Sequence, residues 1–322
     1  MAGCRIGIVG AGGVAQRHAR MLAGFDDVQL VCVTDVDADR ARVFAQDHEM
    51  RAVPGVAEVL ETDVDAVYVC VPPVAHGSAE EAVAAAGRAL FVEKPIGLDC
   101  EVPERIGKLV DETGVVTAVG HHWRYSPAVT WARQALADRP VRLAMGAWLD
   151  KVPPVGWWVH RDRSGGQVIE QAIHVLDLAR VLVGDVAEVH AFADGKPPGE
   201  PDADVDGATV VTMRFANGAV GTLAATCMLG WKHRAGLEVY AEGLALSMTE
   251  DGLELRDGGD PSVRPVDPDT AKAAADRAFV DAVLGRRDDV RTPYCEALQT
   301  HRLACAVADS AAQGVPVKLT EA

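Results

Sequence analysis

No two cysteines of this chain form a C-x-x-C pair; the seven stand scattered at positions 4, 32, 70, 100, 227, 295 and 305. That spacing offers no thiol metal cage or redox couple and reads as reduced thiols in a cytoplasm. No apolar run approaches the ~20 residues of a membrane span, and no signal segment precedes the first strand, so a cytoplasmic location is expected. Basic residues are outnumbered, 31 Lys and Arg against 47 Asp and Glu. The resulting net charge of −16 argues against nucleic acid and anionic membranes as partners. Lysine is scarce, seven in all, so each well-placed lysine carries weight. Internal repeats and low-complexity tracts are lacking as well.

What is present is apolar. A hydrophobic content of 49% over 322 residues predicts buried cores. That length suggests roughly two domains. The organising stretch lies near the start, where the apolar run Arg5-Ile6-Gly7-Ile8-Val9 enters Gly10-Ala11-Gly12-Gly13-Val14-Ala15 and then a helical pattern to Leu22. A second strand, 28–33, leads to Asp35. Strand, glycine turn, helix and acidic strand tip together make a dinucleotide fingerprint. Gly10 permits the tight turn, Gly12 leaves room for a pyrophosphate, and Ala15 lets the helix pack close. The helix N-terminus offers N–H groups to phosphates. Asp35 suits a ribose 2′-hydroxyl and would repel a 2′-phosphate, which favours NAD over NADP.

From residue 1 to about 120, strands at 64–71, 89–92 and 115–119 alternate with helices at 37–46, 75–86 and 101–112, the pattern of a parallel sheet covered on both faces. Ligands sit off the carboxyl ends of such strands, so Asp35, Cys70, Val71, Pro72, Pro73, Glu93, Lys94, Pro95, His121 and His122 are expected around one crevice. Beyond residue 122 the pattern changes. A helix at 126–137 and a strand at 141–149 precede a periodic helix over 166–183. Strands at 209–215 and 219–226 flank the hairpin signal Asn217-Gly218, and 237–241 and 244–248 flank Glu242-Gly243. Segments 194–207 and 257–268 read as loops, and helices follow at 271–284 and 296–313. The fold class is therefore α/β: a doubly wound Rossmann domain over 1–121, then an α+β domain over 122–322 with an open, mainly antiparallel sheet.

The stretch from Ser164-Gly165-Gly166 to His174-Val175-Leu176-Asp177 places Glu170, His174 and Asp177 on one helix face. An imidazole between carboxylates can handle protons; the same spacing also describes a salt-bridged helix or a satisfied core histidine. Lys94, at a strand end and fixed by Pro95, either assists proton transfer or is a surface lysine. The loop before this helix carries Trp157, Trp158, His160, Arg161 and Arg163. Indoles suit sugar faces and arginines suit anions, or else one tryptophan packs inward and the arginines offset nearby acids. No metal site is expected: the histidines lack ligand spacing, and the calcium-like run starting at Asp202 would place Met213 where a bidentate acid is needed.

The ordered set Gly10 to Ala15, Asp35, Val71-Pro72-Pro73 with His76, Glu93-Lys94-Pro95, Arg124 with Pro127, and the Gly165-Gly166 helix with His174 resembles the Gfo/Idh/MocA oxidoreductases along essentially the whole chain. The resemblance implies NAD(P)-dependent hydride transfer to or from a sugar or cyclitol hydroxyl, with Lys94 touching nicotinamide ribose and substrate and His174 catalytic. Val14, Gly13, Val36, Arg40, Cys70, Pro73, His76 and Glu93 join the implied cofactor contacts. His122, Arg124, Trp158, Arg161 and Asp177 join the implied contacts to a sugar or cyclitol, carrying an anionic group if the arginines face it. Glu170 stands where relatives often have aspartate, and it either orients His174 or meets substrate itself. A homodimer or homotetramer formed through the open sheet is implied. Two other readings remain: an NAD-dependent glycoside hydrolase or lyase with transient oxidation, and a non-catalytic NAD-sensing regulator.

Overall fold

The computed structural model describes residues 3–319. Its first part runs β1 (Cys4–Val9), α1 (Gly13–Leu22), β2 (Val28–Thr34), α2 (Ala38–Asp47), β3 (Arg51–Ala52), α3 (Val56–Glu61), β4 (Ala66–Val69), α4 (Ser78–Ala85), β5 (Ala89–Val92), α5 (Glu101–Thr113) and β6 (Thr117–Val119). A 3-10 turn, His122–Tyr125, precedes α6 (Pro127–Leu136) and β7 (Val141–Leu149). Then come α7 (Arg161–Ser164), a π-turn (Val168–Ala172) and α8 (Ile173–Leu182). The strands β8 (Val186–Ala193), β9 (Ala208–Phe215), β10 (Val220–Thr226), β11 (Arg234–Ala241), β12 (Leu244–Thr249), β13 (Gly252–Arg256) and β14 (Ser262–Pro265) follow, with α9 (Pro268–Val283), α10 (Tyr294–Gln313) and β15 (Val317–Lys318) last.

Two compact units result, 1–122 with 272–298, and 123–271 with 299–322. The first unit differs from the expected one by taking back residues 272–298, which the sequence pattern had left with the second domain. The reason is packing. Its parallel sheet, ordered β3-β2-β1-β4-β5-β6, is apolar on both faces and needs two helical layers. Ala15, Ala19 and Leu22 of α1, Phe44 of α2, and Phe279 and Val280 of α9 fill one side with Ile6, Ile8, Tyr68 and Phe91. Val59, Val83, Ile106 and Val110 fill the other with Val67, Val69, Leu90, Tyr294, Ala297 and Leu298. Each large side chain buried there contributes about 1.5–3 kcal/mol, so the sheet is incomplete without the returning segment.

The second unit holds a nine-stranded sheet ordered β14-β13-β12-β11-β7-β10-β9-β8-β15. All neighbours pair antiparallel except β7 and β10, which run parallel at its centre. The stretch 257–268, expected as loop, contributes β14 at the sheet edge. On β7, Ala144, Gly146 and Trp148 alternate inward, and a Cβ on Gly146 would lie 2.7 Å from Val175 of α8. The helix therefore rests directly on the strand. All seven cysteines are free thiols. Among the described residues no helix is long and apolar enough to cross a membrane.

Candidate functional site

In the first unit the loops after β1, β2, β4 and β5 leave the same sheet edge, and the strand order reverses between β1 and β4, the position where such sheets bind ligands. Gly10 has φ +91°, and a Cβ there would meet the Cys70 carbonyl oxygen at 2.4 Å, so the protein itself forbids any side chain. Gly12 and Gly13 differ: an added Cβ would find nothing within 4 Å. Nothing in the protein requires those two glycines, and the open cradle they leave fits a pyrophosphate. No side chain caps α1, whose first-turn N–H groups face that cradle. Val14 is partly exposed and Ala15 fully buried against the sheet.

The tip of β2 is built around one carboxylate. Asp37 caps α2 by accepting from the N–H groups of Asp39 and Arg40, which turns Arg40 back toward the strand. Asp35 then accepts from the Ala11 N–H at 2.7 Å, the Asp37 N–H at 2.8 Å and the Arg40 guanidinium at 2.7 Å. Partial burial raises its pKa, but these donors outweigh burial and hold the carboxyl below its usual range, as an anion. Val36 beside it is fully exposed, an apolar side chain uncovered within the unit.

Past β4, Cys70 is buried, and desolvation drives its thiol well above the usual range, so it is inert and offers only backbone. Val71 and Pro72 stay partly exposed while Pro73 is buried. His76 is buried too. Its Nδ1 bonds Glu80, whose second oxygen accepts the Gly77 N–H at 2.8 Å, and its Nε2 finds no partner among the described residues. After β5, Glu93 is buried and Lys94 half-buried, with the Lys94 N–H donating to Glu93 Oε2 at 3.1 Å. His121 and His122 end β6, both buried.

In the second unit, Gly165 and Gly166 take φ of +74° and +85°, two consecutive left-handed residues that only glycine adopts readily. They turn the chain out of α7 into the π-turn. The helix expected over 166–183 follows these glycines as one continuous run whose first part is the widened π-turn and whose remainder is α8. The π-turn carries Glu170, whose Oε2 accepts from the Trp158 indole N–H at 2.7 Å. His174, in the first turn of α8, is buried among indoles. Its ring centroid lies 5.6 Å from Trp123 and 5.8 Å from Trp148, each plane 22° from its own. Lys232 Nζ sits 5.9 Å from the Trp148 ring centroid.

Four expected substrate contacts have partners within the protein. Asp177 is 1% exposed; it accepts from Arg124 Nη2 at 2.6 Å, from Arg124 Nε at 2.9 Å and from Thr300 at 2.8 Å. Arg124 and Asp177 therefore form a buried ion pair with each other. Trp158 has no exposed surface and its indole N–H anchors Glu170. Arg161 is tied to the 202–206 loop, its N–H donating to Asp204 at 2.6 Å and its guanidinium to Asp206 at 2.8 Å. The sequence reading also missed residues. Trp123 and Trp148 carry no motif. His18 lies in the apolar stripe of α1, where a polar residue among alanines was the available signal. Among the described residues no cluster of three or more His, Cys, Asp and Glu could hold a metal ion.

A glycine-turn cradle on a doubly wound sheet is followed in one chain by a mixed sheet and the buried His174, and the sequence matches a family of that two-part build. Residues 4–121 match the oxidoreductase family with an NAD-binding Rossmann fold, and residues 139–246 match its C-terminal domain. The chain belongs to the Gfo/Idh/MocA oxidoreductase family, and its first unit is an NAD-binding domain. Inositol 2-dehydrogenase of Rhizobium meliloti (strain 1021) is 33% identical over 187 residues, 56% of this chain and 55% of that protein. The aligned stretch thus spans about half the length of that relative. The scyllo-inositol 2-dehydrogenase (NAD(+)) of Bacillus subtilis (strain 168) is 30% identical over 245 residues, 73% of this chain and 70% of that protein. Levoglucosan dehydrogenase, solved with NADH and levoglucosan, shares the fold with a TM-score of 0.89 at 21% identity, covering 99% of each chain.

Proposed function

We propose that this protein catalyses reversible NAD-dependent hydride transfer at a ring hydroxyl of a neutral sugar or cyclitol. The observation that carries the reading is the cradle at Gly12 and Gly13 beside the ionised Asp35, in a family whose relatives include inositol dehydrogenases. Neutral substrates are favoured because Arg124 and Arg161, two of the arginines expected to meet an anion, are each paired with a carboxylate of their own unit.

When bound, NAD supplies the hydride acceptor. The cradle holds phosphate through the N–H groups of α1, and Asp35 takes the ribose hydroxyls. His174 is the proton acceptor for the substrate hydroxyl, its ring plane fixed and its surroundings dried by Trp123 and Trp148. Glu170, held by Trp158, positions the proton transfer. Lys94 donates a hydrogen bond to the substrate oxygen.

The sheet face away from α8 exposes Met145, Phe192, Val210 and Val220, an apolar set that supports pairing with a second copy in a homodimer or homotetramer. Seven free thiols suit a reducing cytoplasm.

The test incubates the protein with NAD or NADP and a panel of inositols, free sugars and nucleotide sugars, following reduced-nicotinamide absorbance and product mass. Reduction of NAD by a neutral polyol is expected. A cleaved glycoside without accumulated NADH would replace the reading by redox-cycling hydrolysis or elimination. Tight NAD binding with no product from any substrate would replace it by a nucleotide sensor.

A further inference from the structure

The first unit buries more charge than nucleotide binding needs. His18 of α1 is 3% exposed, packed against Tyr68 and Phe91 with ring centroids at 5.2 and 5.0 Å. Its Nε2 lies 2.8 Å from Glu93 Oε1 and its Nδ1 lies 2.7 Å from Asp276 Oδ1. A ring facing carboxylate oxygens at both ends donates from both nitrogens, so it is an imidazolium. Burial alone would push it down; Asp276 and Glu93 instead lift it to about 9. Arg17 reaches the same Glu93 oxygen at 2.8 Å, which makes two cations for two carboxylates.

Glu93 has no freedom left. A Cβ on Gly120 would stand 2.6 Å from its carboxyl group, so the end of β6 is hollowed to admit it. Its other oxygen holds the Lys94 N–H. Such a cluster is hard to explain by stability, since apolar side chains of like volume in place of buried ion pairs are often neutral or stabilising. What it does supply is a fixed position for the residue beside Lys94.

We infer that His18 is a positioning residue: held from behind by Asp276, it fixes the Glu93 carboxylate and through it the Lys94 end of β5. The inference rests on the catalytic role proposed for Lys94. It gives the returning helix α9 a part in the active centre, since Asp276 is the residue on that helix that meets His18.

The test uses the full chain with NAD and two readouts. The first is the Lys94 amide resonance of isotope-labelled protein, which needs no substrate. His18→Ala is expected to displace it, free imidazole to restore it, and N-methylimidazole, with a single N–H at most in its neutral or charged form, to leave it displaced. The second is kinetics on the substrate found in the panel. His18→Ala is expected to lose about 100-fold in kcat with KM and the NAD Kd changed less than about threefold, and imidazole to recover part of the loss. Should His18→Ala not fold, His18→Gln, which cannot bridge both carboxylates, is expected to show the same displacement. An unmoved Lys94 amide, or equal rescue by N-methylimidazole, overturns the inference. A panel without turnover overturns the dehydrogenase reading alone, because the amide still decides the positioning.

Discussion

The indole nitrogen of Trp158 donates to Glu170 Oε2 at 2.7 Å, tying the loop before α7 to the π-turn before His174. Trp158→Phe keeps the ring and deletes the donor. A lost hydrogen bond to a charged group costs about 1.5–3 kcal/mol, so kcat should fall roughly tenfold or more while NAD affinity, read by NADH fluorescence, stays unchanged.

Lys94→Ala separates binding from chemistry. Positioned proton-transfer groups contribute about 10²–10⁴-fold, so turnover should fall by at least about 100-fold. Titration calorimetry should still find a near-normal NAD Kd. Turnover near that of the wild type would remove Lys94 from the mechanism.

Asp35 sets the cofactor. Asp35→Ser removes the anion and releases Arg40, which it holds at 2.7 Å. The ratio of NADP to NAD affinity should rise at least about tenfold, a difference of about 1.4 kcal/mol. Paired Kd measurements check it.

The Arg124–Asp177 pair, with side chains 8% and 1% exposed, is a strut. Asp177→Asn leaves the guanidinium buried with a neutral partner. Breaking such a pair costs about 3–5 kcal/mol, visible as a lower denaturant midpoint. A stability change near zero, with a raised KM instead, would return Asp177 to the substrate.

Stability should depend on pH through His18. Its pKa rises from 6.5 to about 9 in the folded state, so its contribution is fully present below 6.5 and lost as pH climbs through 9. Glu93, whose pKa is held at about 2 against burial by His18, Arg17 and Lys94, loses its contribution as pH falls from 4.5 through 2. The titratable and charged groups facing His18 are Glu93, Asp276, Arg17 and Tyr68. His18→Gln should flatten the fall in Tm above pH 6.5.

The strand at 89–92 and that at 141–149 were legible to the residue, the first as a short apolar run and the second as a mainly apolar stretch opening after Pro140. The glycine turn and the acid at the tip of β2 were equally plain, one fixed by backbone freedom and the other by its carboxylate. The π-turn was not, since Glu170, His174 and Asp177 recur at intervals that a regular helix also produces. Burial of Trp158 and the pairing of Arg124 with Asp177 depend on contacts 12 and 53 residues apart, which no local pattern reveals. The destination of α9 was hidden for the same reason: an apolar stripe says that a helix is covered, not which sheet covers it.

That helix has a consequence for how the chain is made. A protein leaving the ribosome usually folds its leading domain first. Here Phe279, Val280 and Tyr294 belong to the cores of the leading sheet. While the nine-stranded sheet is being synthesised, the nucleotide domain must wait with its cores open, so nascent chains halted before residue 272 should be recognised by chaperones rather than hold NAD.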